Sequence, residues 1–286
     1  MILKNTKNIL MAALLMTATT MTVSCGGDDF KTTESGLSYK FEKENPKSQK
    51  VKEGDLLIGE MTVKFDTFTL ADNAGKPGPI LPVNLYMVDP LLYEGLLMLH
   101  VGDEATFSYD ADSIAKLMNG QSPHPSYKAG TGQKFTYKIK VDSITPWEEY
   151  VASEMKKMKE QEPLLRQEYL KQNNINVQPT ADSLYIIVNE KGNGVKVTEG
   201  KEVTVHYTGR LLDGRVFDSS VERGTPFTFK IGEGQVIPGW DKGLLGQTVG
   251  SKLQLIIPSS MAYGDGGGQM MPYATLVFDI EIISVN

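Results

Sequence analysis

The chain has 286 residues, with 29 Lys plus Arg against 35 Asp plus Glu and a formal net charge of −6. That acidic balance argues against nucleic acid as the main partner, because neutralising phosphates needs a Lys/Arg surplus. A single cysteine excludes an intramolecular disulfide framework and a cysteine-cluster metal site, and His100, His124 and His206 do not stand at ligand spacing, so neither metal nor cofactor is expected.

Lys4 and Lys7 form a basic head before an apolar run from Ile9 to Met21. The run is shorter than the roughly 20 residues a membrane span needs, and the pattern is that of a signal peptide. It ends at Thr22-Val23-Ser24-Cys25, which resembles the bacterial lipobox, with Thr22 where Leu is usual. The resemblance implies lipidation of Cys25 and cleavage before it; the alternative is a plain secretory signal with an incidental cysteine. Cleavage there leaves 262 residues and a net charge of −8, because residues 1–24 carry two lysines and no acid. Residues 25–35, opening Cys25-Gly26-Gly27-Asp28-Asp29, read as a flexible acidic tether. The expected location is the cell envelope, lipid-anchored, at an outer membrane facing the periplasm or the cell surface.

Residues 36–144 and 181–286 then read as two copies of one unit. Leu37-Ser38-Tyr39 matches Leu184-Tyr185-Ile186, and Val51-Lys52-Glu53-Gly54 matches Val197-Thr198-Glu199-Gly200. Further on, Glu94-Gly95-Leu96-Leu97 matches Lys242-Gly243-Leu244-Leu245, and Phe135 to Ile139 matches Leu276 to Ile280. Order and spacing hold over about a hundred residues, as an internal repeat requires. Between the copies, residues 145–180 have a helical texture. Thr145-Pro146-Trp147-Glu148 has the form of a capping box with Pro at the first helical position. Trp147, Tyr150, Val151, Met155 and Met158 follow as a helical stripe, read as packing on a neighbouring domain or, alternatively, as a dimer or client-binding arm. Pro163 is expected to break or kink the helix. A second stretch through Leu165 and Tyr169 runs to about Asn173, and a loop follows to Thr180.

In the second copy, Val203, Val205 and Tyr207 alternate with polar residues, as do Phe227 and Phe229, and Leu276, Phe278, Ile280 and Ile282. Period two means strands with one buried face. Leu212-Asp213-Gly214-Arg215 puts Asp-Gly between two such runs, which signals a hairpin. No nucleophile-base-acid set, phosphate loop or His-Glu-x-x-His stands in the chain. Aromatic residues stand out instead: Tyr207, Phe217, Phe227, Phe229, Trp240, Tyr263 and Phe278. Singly, each would be a core residue by default.

Their setting resembles the FKBP-type peptidyl-prolyl cis-trans isomerases. The resemblance rests on Val205 to Gly209, Gly214 to Ser220, Pro226 to Phe229, Gly234 to Asp241, Ala262-Tyr263-Gly264 and Ala274 to Phe278. It implies an α+β fold: two FKBP-like units, each a curved antiparallel sheet wrapped on a short helix near Gly239 to Leu245 in the second, joined by an α-helical linker. By the same resemblance Trp240 is the floor under a substrate proline ring, and Tyr207, Phe217, Val236, Ile237 and Phe278 are the walls. Asp218 sits beside the reacting bond, held by Tyr207 and Arg223. Tyr263 donates its hydroxyl to one substrate carbonyl and the Ile237 N–H meets another. Tyr207, Phe217, Asp218, Trp240, Tyr263 and Phe278 are the catalytic candidates; Arg223, Phe227, Val236, Ile237, Ala262 and Met270 are the substrate-binding ones. Met270-Met271-Pro272 stands where the family has Ile-Pro-Pro, so a looser rim and weaker macrolide binding are expected.

The first copy has Met61 at the position of Tyr207 and Leu92 at that of Trp240, with a Gly/Pro insertion near Gly75 to Pro82 and a loop through Asn119 to Gly132. It reads as a degenerate FKBP-like domain without isomerase activity, suited to client binding, dimerisation or spacing from the membrane. The first unit and the linker helix are the candidate homodimer surfaces. The expected function is prolyl isomerisation in unfolded or nascent exported proteins; the alternative is a chaperone that holds proline segments with negligible turnover.

Overall fold

A computed structural model describes residues 30–84, 88–266 and 271–286. The chain divides into two compact units, Met1–Tyr150 and Val151–Asn286. The expected signal segment and Cys25 lie outside the described residues.

The first unit contains β1 (Lys31–Thr32), β2 (Ser38–Lys43), β3 (Asp55–Phe65), β4 (Phe68–Asp72), β5 (Gly78–Pro82), α1 (Pro90–Leu96), β6 (Glu104–Asp110), α2 (Ala111–Leu117) and β7 (Lys134–Pro146). Its antiparallel sheet runs β1-β2-β6-β7-β3-β4, with β5 also on β3. Lys31 and Thr32, inside the expected tether, pair with Tyr39 and Ser38. The Gly/Pro insertion is in part strand: Gly78 to Pro82 pair with Leu56 to Gly59. Edge position makes this tolerable, since a proline there forfeits no inner ladder bond.

After α3 (Trp147–Gln172), the second unit adds β8 (Tyr185–Glu190), β9 (Glu202–Leu211), β10 (Val216–Ser219), β11 (Phe227–Lys230), α4 (Pro238–Leu244), β12 (Lys252–Ile257), a 3-10 turn (Ser259–Met261) and β13 (Leu276–Val285). The sheet order is β10-β9-β13-β12-β8, with β11 also on β9. Reversed, this is the order of the first sheet without β1, strand for strand. The register agrees too: Met61 pairs with Ile139 as Tyr207 pairs with Ile280. Both short helices open on a proline, and Leu92 and Trp240 each stand two residues after it.

Each core lies between the sheet and its short helix. On β9, Val203, Val205, Tyr207 and Gly209 are buried while the residues between them are not, as period two requires. The helices lie close because glycines face the sheet. A Cβ on Gly243 would fall 2.7 Å from Leu255 Cδ1, and one on Gly95 2.7 Å from Phe107 Cδ1. β12 and β13 instead carry apolar runs, Leu255-Ile256-Ile257 and Leu276-Val277-Phe278, buried on both faces. The outer face is covered by α3, whose Leu170 packs with Ile256 and Val277.

Two expectations for the linker are corrected. Pro146 ends β7, opposite Asp55, rather than opening the helix. Of the break or kink expected at Pro163, the break does not occur: α3 runs through it. The cost of an interior proline, about 3 kcal/mol, is offset here by packing on both sides of it. Glu162, Arg166 and Leu170 are the buried residues of the helix. The aromatic and Met stripe is only partly covered, with Met158 exposed.

Candidate active site

β9 supplies Tyr207 from its buried face, 8% exposed. Neighbouring β10 is paired to β9 with a register shift between Val216 and Asp218, so Phe217 is the extra residue of a bulge. In a regular strand Phe217 and Asp218 would point to opposite faces; the bulge re-aims them. Ser220 fixes this arrangement, because its Oγ accepts from the Tyr207 N–H at 2.8 Å. α4 brings Trp240, 4% exposed, up beneath these rings.

The rings form a box. Trp240 lies edge-on to Tyr207 at 5.0 Å and to Phe278 at 5.2 Å, with interplanar angles of 82° and 89°. Phe217 stands perpendicular to Phe278 at 5.6 Å. Phe227 meets Tyr207 at 6.1 Å and Trp240 at 6.2 Å. Such T-shaped pairs contribute about 0.5–1.5 kcal/mol each beyond burial. Gly209 makes room for two of them: a Cβ there would stand 2.7 Å from both Phe217 Cζ and Phe278 Cε1. Val236, Ile237 and Ala262 pack against the same cluster. The buried Trp240 indole N–H has no acceptor among the described residues.

One charged network borders the rings. The Tyr207 hydroxyl donates to Asp218 Oδ2, and Arg223 Nη1 donates to Asp218 Oδ1. Arg223 Nη2 also donates to the Tyr207 hydroxyl at 3.0 Å, with the guanidinium carbon 5.7 Å from the ring centre. Burial pushes the Asp218 carboxyl up, but the Tyr207 and Arg223 hydrogen bonds and the Arg223 charge outweigh it and hold the group below its ordinary 3.8. Burial first, then the bond to Asp218, raises the Tyr207 phenol. Asp218 is therefore a carboxylate and Tyr207 a neutral donor across the neutral range.

The structure thus brings together ten of the predicted site residues: Tyr207, Phe217, Asp218, Arg223, Phe227, Val236, Ile237, Trp240, Ala262 and Phe278. Tyr263 stands on the loop after the 3-10 turn, 42% exposed. Met270 lies outside the described residues; Met271 beside it is exposed. On the helix side of this loop lies a groove of about 570 Å³, lined by Met158, Leu165, Tyr169, Leu212, Met271 and Tyr273 among others. At the corresponding places in the first unit, Met61 is partly buried against the core and Leu92 lies within it. A different set of rings forms beside Leu92: Tyr109 stacks on Tyr137 at 5.9 Å and meets Phe135 at 6.0 Å, its hydroxyl donates to Asp89 Oδ2 at 2.6 Å, and Asp89 Oδ1 accepts from the Leu92 N–H at 2.9 Å.

The family model for "FKBP-type peptidyl-prolyl cis-trans isomerase" matches residues 193–283. FK506-binding protein 2 of Dictyostelium discoideum is 56% identical over 94 residues, 32% of this chain and 71% of that protein. The FK506-binding protein of Neisseria meningitidis serogroup A is 49% identical over 105 residues, 36% of this chain and 96% of that protein. Peptidyl-prolyl cis-trans isomerase FKBP15-1 of Arabidopsis thaliana is 56% identical over 90 residues, 31% of this chain and 59% of that protein. The chain belongs to the FKBP-type peptidyl-prolyl cis-trans isomerases. Its activity is therefore rotation about X-Pro bonds, and holding without turnover is set aside. In this isomerase the matched stretch contains the whole ring box, from Tyr207 to Phe278.

Sequence reasoning missed what lies behind the rings. Ser220 belongs to a motif read for its Phe-Asp pair, yet it anchors the Tyr207 backbone. Glu162 and Arg166 gave no sign of burial; the only available signal was that they share a helical face with Leu170.

The Asp218 network carries a signed pH effect. A carboxyl held below its unfolded value adds stability above that value and loses it as pH falls through the folded one. Between pH 5 and 8 the isomerase and its Asp218→Asn variant are expected to show parallel stability profiles. Below pH about 4 the wild type should lose an increment that the variant lacks, read from urea midpoints at successive pH values.

Proposed function

We propose that the second unit isomerises X-Pro bonds in exported proteins at the cell envelope, held there by lipid on Cys25. The observation that carries the catalytic part is the ring box of Tyr207, Phe217, Trp240 and Phe278, bordered by one ionised carboxylate.

An X-Pro bond turns over in tens to hundreds of seconds because rotation must give up amide resonance. Twisting the bond makes the amide less polar along its C–N axis. Apolar walls that exclude water disfavour the conjugated ground state more than the twisted one. Trp240 is the floor for the proline ring, and Phe217, Phe278, Val236 and Ile237 enclose it. Asp218, kept charged by Tyr207 and Arg223, lies beside the reacting carbonyl. The Ile237 N–H and the Tyr263 hydroxyl hold the flanking backbone in a turn, an interaction stronger in the twisted state than in either ground state. Lowering about 100 s to about 10 ms is a factor of roughly 10⁴, or about 5.5 kcal/mol. Several modest non-covalent interactions supply that without a covalent intermediate. The first unit, with Met61 and Leu92 in place of two rings, serves client binding, dimerisation or spacing.

In exchange measurements on a Leu-Pro peptide with the full chain, Asp218→Val and Phe278→Ala should each lower kcat/KM by about ten- to a hundredfold, a loss of about 1.4–2.8 kcal/mol of transition-state binding. Wild-type rates in both variants would remove the assigned roles. For the anchor, Cys25→Ala expressed in a bacterial host should move the protein from the membrane to the soluble fraction. Retention in the membrane with no lipid on the wild-type cysteine by mass spectrometry would defeat that part of the proposal.

A further inference from the structure

The second unit contains a buried ion pair that the ring box does not use. Glu162 and Arg166 are one turn apart on α3, 9% and 8% exposed, with Arg166 Nη1 3.1 Å from Glu162 Oε1. A buried pair persists only where further hydrogen bonds satisfy its charges. Here they come from two residues just outside strands β12 and β13. Glu162 Oε1 accepts from the Ser259 N–H at 2.6 Å and from Thr275 Oγ1 at 2.8 Å, and Oε2 accepts from Ser259 Oγ at 2.6 Å. Thr275 Oγ1 in turn accepts from Arg166 Nη1 at 3.2 Å.

Ser259 and Thr275 are the two ends of the loop that carries Ala262 and Tyr263. Ser259 follows β12 by one residue beyond Pro258, and Thr275 immediately precedes β13. Ser259 is also where the start of the loop is tied. Its carbonyl accepts from the Ala262 and Gly264 N–H groups, both at 2.9 Å, and the Gly264 carbonyl accepts from the Tyr273 N–H at 2.8 Å. The Tyr263 backbone is thus tied to the carbonyl of a residue whose N–H and hydroxyl are held by Glu162. α3 lies outside residues 193–283, the stretch that the family model matches.

We propose that Glu162 is a positioning residue for prolyl isomerisation: through Ser259 and Thr275, the linker helix closes the base of the active-site loop and sets the place of Tyr263. This rests on the reading that Tyr263 meets the substrate. Arg166, 3.1 Å from Glu162 Oε1, holds the carboxylate turned toward the loop ends. A reacting geometry displaced by about 1 Å can lower a rate by about 10²-fold, so a clamp of this kind acts on turnover without touching the substrate.

The test compares full chains carrying Glu162→Gln, Thr275→Val, Tyr263→Phe and the double change Glu162→Gln with Tyr263→Phe. Thr275→Val, which keeps the ion pair, guards against a Glu162 variant that fails to fold. Each single variant is expected to lower kcat/KM on a Leu-Pro peptide by about three- to tenfold. The double variant should be no more than about twofold below the slower single one, because both changes act through the same side chain. The Ser259 amide proton should move upfield in Glu162→Gln as its charged acceptor is lost. Wild-type rates in Glu162→Gln and Thr275→Val, or losses that multiply in the double variant, would overturn the proposal. Loss in Glu162→Gln with none in Tyr263→Phe would refute the route through Tyr263 and, separately, the role given to that residue.

Discussion

Helix α4 brings Trp240 beneath the other rings by lying directly on β12 through Gly239 and Gly243, where an added methyl would collide with Ile257 Cγ2 and stand 2.7 Å from Leu255 Cδ1 respectively. The site depends on that approach. It fixes the indole edge-on to Tyr207 and Phe278, and the bulge at Phe217 and the small residue at Gly209 then complete the enclosure. The first unit shows that the approach alone is not sufficient. Its α1 lies on Phe107 through Gly95 in the same manner, yet it carries Leu92 where α4 carries Trp240. The same frame therefore carries Leu92 in one copy and the Trp240 floor of the ring box in the other.

A second constraint is that one charge must survive beside an apolar box. Asp218 is kept ionised against partial burial by Tyr207 and Arg223, and the same two bonds aim it. An exposed pair of this kind would add little stability. Here its value lies in orientation, since Arg223 spans both the carboxylate and the phenol. The Glu162–Arg166 pair lies at greater depth, where Ser259 and Thr275 donate to the carboxylate.

Much of this is legible in the residues. Period-two alternation places Val203, Val205 and Tyr207 on the buried face of β9, and Asp213-Gly214 marks the hairpin turn into β10. Matching short segments in order and spacing between the copies gives a pairing that the sheet orders repeat strand for strand. The ring box could be named because its residues sit in motifs of fixed order. What hides is long-range and polar. Glu162 and Arg166 stand at a spacing that ordinarily means a solvated surface pair, and only the fold places Ser259 and Thr275 against them. Pro163 signals a helix break because local propensity says so; contacts on both sides of it decide otherwise. The Gly/Pro stretch before Pro82 looks like a loop because composition carries no record of the edge of β3 that pairs with it.

The central claim is that catalysis resides in the aromatic floor of the second unit and not in the frame that both units share. Replacing Trp240 by Leu, the residue that the first unit has at the equivalent place, tests it most directly. The measurement is catalysed cis-trans exchange of a proline peptide by the full Trp240→Leu chain, with retention of the fold checked by circular dichroism. The account predicts a folded protein whose catalysed exchange falls by about a hundredfold or more, a loss of roughly 2.7 kcal/mol of transition-state stabilisation. A folded variant exchanging at the wild-type rate would contradict it.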